Sequence, residues 1–183
     1  MKKLGDRIEE AIEADNWVVA RKLIKAELKS NPKDHWLLGR LGLTYYEQRK
    51  YDHALYWTAT ALQEAPYCPL LIWDYACALA MLERNDEALS LYRRLLSWGE
   101  VGLAYGECDE GIQRARALIA DCHYRIACIW DEKRQWKRSS TEFEKYLELR
   151  RNGHGSIYSL REVKRQYAEV RAKVRRQSAS LPR

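Results

Sequence analysis

The sequence predicts an all-α fold, an α-solenoid of helix–turn–helix repeats closed by a C-terminal helix. Glycine and proline, which interrupt helices, number only nine and four in 183 residues, whereas strong helix formers are abundant. Alanines recur every 34 residues, at Ala20, Ala54 and Ala88, and two prolines, Pro32 and Pro66, show the same spacing. Apolar residues follow each alanine in steps of three and four, which is typical of amphipathic helices. A tandem of helix pairs explains both periods.

The repeat domain is predicted to cover residues 1–153. The first unit is the most irregular, because Arg7 stands at an expected core position. Terminal repeats are commonly atypical, since one of their faces meets solvent. The predicted units and the insert between the third and fourth lie at about 1–34, 35–68, 69–102, 103–119 (insert) and 120–153.

A shared pattern of large and small residues supports these units. It recurs as Leu38-x2-Leu41-Gly42-x2-Tyr45, Ile72-x2-Tyr75-Ala76-x2-Leu79 and Ile126-Ala127-x2-Trp130. This pattern resembles the tetratricopeptide repeat over about residues 1–150. Small residues at Gly42, Ala76 and Ala127 would let the two helices of a unit approach closely. The second unit departs from the family at Thr58, where the pattern has a larger residue.

A glycine-rich segment interrupts the repeats. Residues 97–111 contain four glycines, so we expect a loop there, with a helix resuming at Gly111 or Ile112 and Asp109 as its N-cap. Long loops on a rigid scaffold often have a functional role, and a tolerated insertion is the alternative.

The last segment, residues 154–177, is predicted to form one basic helix that begins after Ser156. Its apolar stripe would cover the open side of the final repeat. Residues 178–183 are expected to be disordered. The stripe consists of Ile157, Leu160, Val163, Tyr167, Val170 and Val174.

The other faces of this helix hold most of the positive charge. Residues 150–183 contain ten Arg or Lys and two Glu, a balance of +8, which leaves −2 of the total +6 for the rest. A solvated face is one interpretation, and a basic helix for nucleic acid, an acidic partner or a membrane surface is the other. The basic residues of this predicted surface are Arg161, Lys164, Arg165, Arg171, Lys173, Arg175 and Arg176.

No catalytic signature is present, so an enzyme is not expected, and neither a metal nor a cofactor is implied. The five cysteines form no C-x-x-C pair, which favours reduced thiols and a cytoplasmic location. Met1-Lys2-Lys3 is not followed by an apolar run, so no signal peptide is expected. No stretch approaches the roughly 20 apolar residues of a membrane span, and no membrane partner is predicted.

The resemblance to tetratricopeptide repeats implies a ligand groove lined by the first helix of each unit. The clamp with which some members hold a chaperone's terminal carboxylate is absent, because Gly39, Leu43 and Cys77 replace its Lys and Asn. An aromatic groove that binds a protein or peptide by side-chain burial is expected instead. The matching positions in this sequence are Trp36, Arg40, Leu43, Tyr46, Trp73, Cys77, Tyr124, Arg125 and Asp131.

The sequence therefore favours a protein–protein interaction scaffold or a chaperone-like holder. Two alternatives stay open for the protein: a nucleic-acid-associated or regulatory role through the basic helix, and self-association of the repeats. Within the groove itself, the aromatic side chains could also pack on each other, or the last helix could fill the space that a ligand would take.

Overall fold

The computed structural model describes residues 3–179, which form nine α-helices and no β-strand. The all-α fold class predicted from the sequence is confirmed. The chain divides into two compact units, residues 1–88 and residues 89–183. Among the described residues, no helix combines the length and the apolar character that crossing a bilayer requires.

Unit 1 consists of successive antiparallel helix pairs. Helix α3 packs against both α4 and α5, and α2 packs against α3. An apolar cluster of Ile8, Ile24, Leu37 and Leu41 joins the first three helices. The helices of this unit are α1 (Leu4–Glu13), α2 (Trp17–Glu27), α3 (His35–Glu47), α4 (Tyr51–Glu64), α5 (Pro69–Met81) and the first residues of α6 (Asn85–Ala104).

Unit 2 contains the rest of α6 and three further helices. They are α7 (Ile112–Glu132), α8 (Trp136–Arg151) and α9 (Leu160–Ala179). Helix α8 packs against both α7 and α9. Ser139 on α8 is buried, and its hydroxyl donates a 2.8 Å hydrogen bond to the Ala127 carbonyl of α7. A serine at this small-residue position therefore adds a polar link between the paired helices.

The same turn closes every helix pair. At each turn one non-glycine residue has a left-handed backbone, and the next N–H bonds to the carbonyl five residues earlier, over 2.8–3.0 Å. This arrangement satisfies carbonyls at the end of the first helix. The left-handed residues are Asp15, Arg49, Glu83 and Arg134, with φ between 55° and 60°.

Replacing Arg49 by glycine should stabilise the protein. Arg49 has φ 58°, a region that costs an L-residue roughly 1–2 kcal/mol, partly offset by the extra unfolded-state entropy of glycine. We expect Arg49→Gly to raise the free energy of unfolding by about 0.5–1 kcal/mol in urea titrations. Lys50→Gly is the matched control, because Lys50 has φ −92° and should gain nothing from glycine's access to the left-handed region. Equal effects of the two substitutions would contradict this reading of the turn.

Close helix approach in the second pair depends on Gly42. A Cβ atom at this position would lie 2.7 Å from Thr58 Oγ1 and 3.3 Å from the Ala54 carbonyl oxygen. Thr58 is 1% exposed, and its hydroxyl donates a 2.7 Å hydrogen bond to that carbonyl. The compact Thr58 side chain therefore fits the space left by Gly42, which explains the departure from the family pattern.

Adding a methyl group at Gly42 should destabilise unit 1. Although alanine is the better helix former, the neighbouring threonine is buried and stiff, so overpacking should dominate. We expect Gly42→Ala to lower the free energy of unfolding by about 1–3 kcal/mol. In Gly5→Ala the new Cβ would be an ordinary 3.7 Å from Trp36 Cη2, so this control should not destabilise. A Gly42→Ala variant as stable as the wild type would rule out the overpacking argument.

The predicted loop at 97–111 is shorter than expected. Helix α6 continues to Ala104, with a break at Gly99, where φ is 65° and ψ is −178°. Helix α7 begins at Ile112, and its N-cap is Gly111 without a side-chain cap. The prediction of Asp109 as the N-cap of this helix was therefore wrong. Glycines predicted a continuous loop, but only Gly99 uses its conformational freedom inside α6.

The C-terminal helix covers the last pair, as its apolar stripe predicted. Val163 and Val170 are at most 1% exposed, and they pack with residues of α7 and α8. Two details differ from expectation. The helix begins at Leu160, which leaves Ile157 outside the stripe and 74% exposed. It continues through Ala179, so residues 178 and 179 of the expected tail are helical, while residues 180–183 lie outside the described part.

Candidate functional site

One helix face in unit 1 brings four of the predicted groove residues together. Trp36, Arg40, Leu43 and Tyr46 follow steps of three and four along α3, and all four are half-buried. Residues at this spacing share one side of a helix. Asp34 fixes the start of α3, because its carboxylate accepts a 3.0 Å hydrogen bond from the Leu37 N–H. We call these four side chains the α3 face.

The N-terminal end of the α3 face, at Trp36 and Arg40, contacts α1. The Arg40 guanidinium carbon lies 5.5 Å from the centroid of the Trp36 ring. Arg40 Nε also forms an ion pair with Glu9 of α1, with 2.7 Å between Nε and Oε1. Trp36 packs against the Ile8 and Ile24 cluster. These contacts hold a cation and a flat apolar ring in fixed positions beside each other.

The C-terminal end of the α3 face consists of aromatic and aliphatic side chains. The Tyr46 ring makes an edge-to-face contact with Tyr51 of α4, with 5.4 Å between ring centroids. Leu43 lies between the aromatic positions in the stripe and is also half-buried. Half-buried Trp, Tyr and Leu side chains still have apolar area to lose on contact with a ligand. The α3 face is therefore a surface on which a peptide could bury side chains.

The two groove residues predicted on α5 are more enclosed. Trp73 is 8% exposed and Cys77 is 6% exposed. Neither side chain offers much area to an incoming ligand. A position on the expected face of a helix was therefore not sufficient to place these residues on a binding surface.

In unit 2, contacts within the unit occupy the predicted groove residues. Tyr124 is 8% exposed, and its ring centroid lies 4.0 Å from that of Tyr158. Burial raises the pKa of the Tyr124 hydroxyl. Asp131 accepts hydrogen bonds of 2.7 and 2.9 Å from Lys173 of α9. Arg125 Nε donates a 3.3 Å hydrogen bond to the Tyr92 hydroxyl.

The predicted basic surface is largely at the exterior of α9. Lys173 is the exception, because it is half-buried and paired with Asp131. Arg165 forms an ion pair with Glu162 at 2.7 Å, and Arg171 lies over the Tyr167 ring at 5.6 Å. The remaining four predicted residues are exposed: Arg161, Lys164, Arg175 and Arg176.

Comparison with known proteins gives the fold. No family model and no curated protein sequence matches the chain. Solved structures do. A crystal structure of MamA protein matches with a TM-score of 0.61 and 15% identity, covering 94% of this chain and 86% of that one. MamA AMB-1 matches with a TM-score of 0.59 and 21% identity, over 78% and 75%. The MamA RS-1 ArsTM double mutant matches with a TM-score of 0.60 and 13% identity, over 97% and 96%.

The fold is of the tetratricopeptide type. MamA is a tetratricopeptide repeat protein, and the resemblance predicted from the sequence is confirmed at this level. At such identities the likeness is one of fold, and it assigns neither a ligand nor a binding residue to this chain.

A buried carboxylate joins the α7–α8 pair to the loop before α9. Asp121 on α7 is 4% exposed. Its carboxylate accepts hydrogen bonds from the Ser156 hydroxyl and from the Ile157 N–H, the latter at 3.3 Å. The Ser156 oxygen also accepts from the Tyr146 hydroxyl at 3.0 Å and from the Tyr158 N–H at 2.9 Å. Ser156 therefore anchors this loop and does not cap the helix.

Sequence patterns did not indicate this role for Asp121, because its partners lie 35 and 36 residues away. The available signal was a single carboxylate within the apolar run from Leu118 to Cys122. Buried carboxylates need hydrogen-bond donors, so the run indicated that a polar partner would be present, but not which one.

The burial of Asp121 should make the free energy of unfolding of this tetratricopeptide fold depend on pH. Burial raises the pKa of Asp121 to about 6, although hydrogen bonds from Ser156 and Ile157 and the Arg150 charge oppose the shift. The native pKa of this carboxyl lies above its unfolded-state pKa of about 4. Its contribution to the free energy of unfolding is therefore fully present below about pH 4 and is lost as pH rises through about 6.

Asp121→Asn should remove that pH dependence. We expect the stability difference, wild type minus variant, to grow by about 2–3 kcal/mol from about pH 7.5 to about pH 4. Urea unfolding at several pH values measures it. Asp52→Asn, at an exposed site on α4, is the control for a lost surface charge. A difference between wild type and Asp121→Asn that stays constant with pH would refute the buried-carboxylate explanation.

Proposed function

We propose that the protein is an interaction scaffold or chaperone-like holder that binds a peptide or protein segment on the α3 face. The observation that supports it most directly is the contrast between predicted groove positions. Trp36, Arg40, Leu43 and Tyr46 are half-buried, whereas the groove residues predicted on α5 are buried. A tetratricopeptide fold supports an interaction role, and the α3 face is the part of the predicted groove with area still to bury.

The chemistry of the α3 face suits polypeptide recognition. Trp, Tyr and Arg are the residue types that most often dominate binding energy at protein interfaces. Trp36 and Tyr46 have aromatic surface to cover an aliphatic or aromatic side chain. Arg40 lies beside Trp36 and offers N–H donors to a peptide carbonyl or carboxylate. A ligand would therefore gain apolar burial along the stripe and one polar anchor near its end.

The half-buried Cys128 thiol has no nucleophilic role in the proposed function. Burial raises the pKa of Cys128 to about 11, so the thiol stays protonated at neutral pH. Thiolates, not thiols, act as nucleophiles. The proposed function therefore requires no covalent chemistry at this residue.

A second candidate function rests on α9. Arg161, Lys164, Arg175 and Arg176 are exposed on this helix, and clustered cations attract nucleic acid with an affinity that falls steeply with salt. Lys173 does not belong to that surface, because it pairs with Asp131. Binding through α9 would be insensitive to changes in the α3 face.

The two candidates are separated by a matched pair of tyrosine variants. Peptides are first selected from a random library on the full chain, and their dissociation constants are measured by fluorescence anisotropy. We expect Tyr46→Ala to weaken binding about tenfold or more, as interface aromatics do.

Tyr56→Ala should leave the affinity unchanged. Tyr56 is on α4 and 62% exposed, and like Tyr46 it makes an edge-to-face aromatic contact, in its case with Trp57. Circular dichroism confirms that both variants are folded. Equal affinities for the two variants, or binding only to single-stranded nucleic acid with a steep salt dependence, would reject the α3 face as the binding site.

A further inference from the structure

A second concave surface lies within unit 2, between α8 and α9. This α8–α9 cleft has a volume of about 370 Å³. Its apolar lining comes from Leu147, Leu160 and Tyr167, and its cationic lining from Arg150, Arg151 and Lys164. Small-ligand and side-chain sites commonly begin at about 300 Å³ and combine an apolar surface with a few polar groups. The cleft is large enough for one or two side chains.

Positive charge predominates around the cleft. The only acidic residue among those lining it is Glu144. One of its carboxylate oxygens already accepts hydrogen bonds from the Tyr167 hydroxyl at 2.8 Å and from the Ser140 hydroxyl at 3.1 Å. Lys164 and Arg151 are exposed. Three cations around one internally bonded carboxylate favour an anionic ligand.

Arg150 adds a specific reason to expect an acceptor. Its Nε and Nη1 atoms are buried, and they have no hydrogen-bond partner among residues 3–179. The nearby buried Asp121 interacts with Arg150 only through charge, while its oxygens are bonded to Ser156 and Ile157. Buried donors without partners are costly. Arg150 lines the cleft, so a rotation of its side chain that brought these N–H groups against a ligand oxygen would remove that cost and make a charge-assisted hydrogen bond.

We propose that the α8–α9 cleft binds an acidic, apolar segment of a partner polypeptide. A leucine-like or phenylalanine-like side chain would lie against Leu147 and Leu160, and a neighbouring carboxylate would face Arg150 and Lys164. This inference rests on the proposed function, because it assumes a polypeptide partner, but it concerns a separate site from the α3 face. Two of the three apolar lining residues, Leu147 and Leu160, are aliphatic, which favours such a segment over a nucleic acid, whose bases stack best on aromatic rings.

The test uses three short labelled peptides and the full chain. The probe is fluorescein-labelled Glu-Asp-Leu-Phe-Asp-Glu. One control replaces its acids with Gln and Asn, and the other replaces Leu-Phe with Ser-Ser. Fluorescence anisotropy should show the probe binding about tenfold or more tightly than either control, because charge and apolar burial both contribute. Equal affinities for the probe and the serine control would overturn the apolar part of the inference.

Variants then locate the binding. Lys164→Gln should weaken the probe about threefold to fivefold, the size of one partly exposed charge interaction. Arg161→Gln is the matched control, exposed on the same helix but outside the cleft, and should have no effect. Equal losses in both variants, together with displacement of the probe by single-stranded oligothymidine, would show a diffuse phosphate-binding face and overturn the proposal.

Arg150→Met examines the buried guanidinium. Because two of its nitrogens lack partners, an apolar side chain of similar length should not lower the melting temperature at about pH 4, where Asp121 is protonated and is not attracted by the Arg150 charge. It should weaken the probe about tenfold or more. A lower melting temperature, or unchanged affinity, would contradict the role given to Arg150. Tyr46→Ala should leave probe binding intact, so a failure at the cleft is distinguishable from a failure of the α3 face.

Discussion

In a pair of packed helices only the facing sides are buried, and another element must cover the apolar side that is left. This requirement determines the helix packing in both units. Within unit 1 the next helix in sequence does so, as α5 packs on α3 and α4. Within unit 2 the single helix α9 follows α8 and takes that place. Tyr124, Phe143 and Tyr146 form a common apolar cluster with Val163 and Val170 of α9. The last helix is thus part of the core of its unit.

In unit 2, α9 and the segment before it pack on the last helix pair. As a result, residues at equivalent repeat positions in the two units have different roles. Tyr124 and Asp131 occupy groove positions of the family pattern, but here they contact Tyr158 and Lys173. Their contribution is to unit stability and to the placement of α9. Trp36 and Tyr46 keep part of their surface exposed. Side-chain burial, rather than position in the repeat, therefore separates residues that hold the fold from residues available to a ligand.

The sequence was sufficient for features that depend on local spacing. The 34-residue period and the steps of three and four predicted the helix pairs, and the stripe containing Val163 and Val170 predicted that α9 would cover α8. Spacing could not reveal contacts between distant segments, such as the hydrogen bond from Ser156 to Asp121. It also could not give the burial of Trp73, because burial depends on what covers a face. Four glycines at 97–111 suggested a loop, yet helix α6 is interrupted at Gly99 alone and continues to Ala104.

The central claim, that a polypeptide binds at the α3 face, is tested most directly by the indole N–H signals of the tryptophans in a nitrogen-15 correlation spectrum. The chain has seven tryptophans, few enough to resolve, and Trp36→Phe identifies the signal of Trp36. During titration with a library-selected peptide, the proposed function predicts a large shift of the Trp36 signal. The Trp130 signal, from a residue 8% exposed in unit 2, should stay in place. Saturable binding that leaves the Trp36 signal unmoved would contradict the claim.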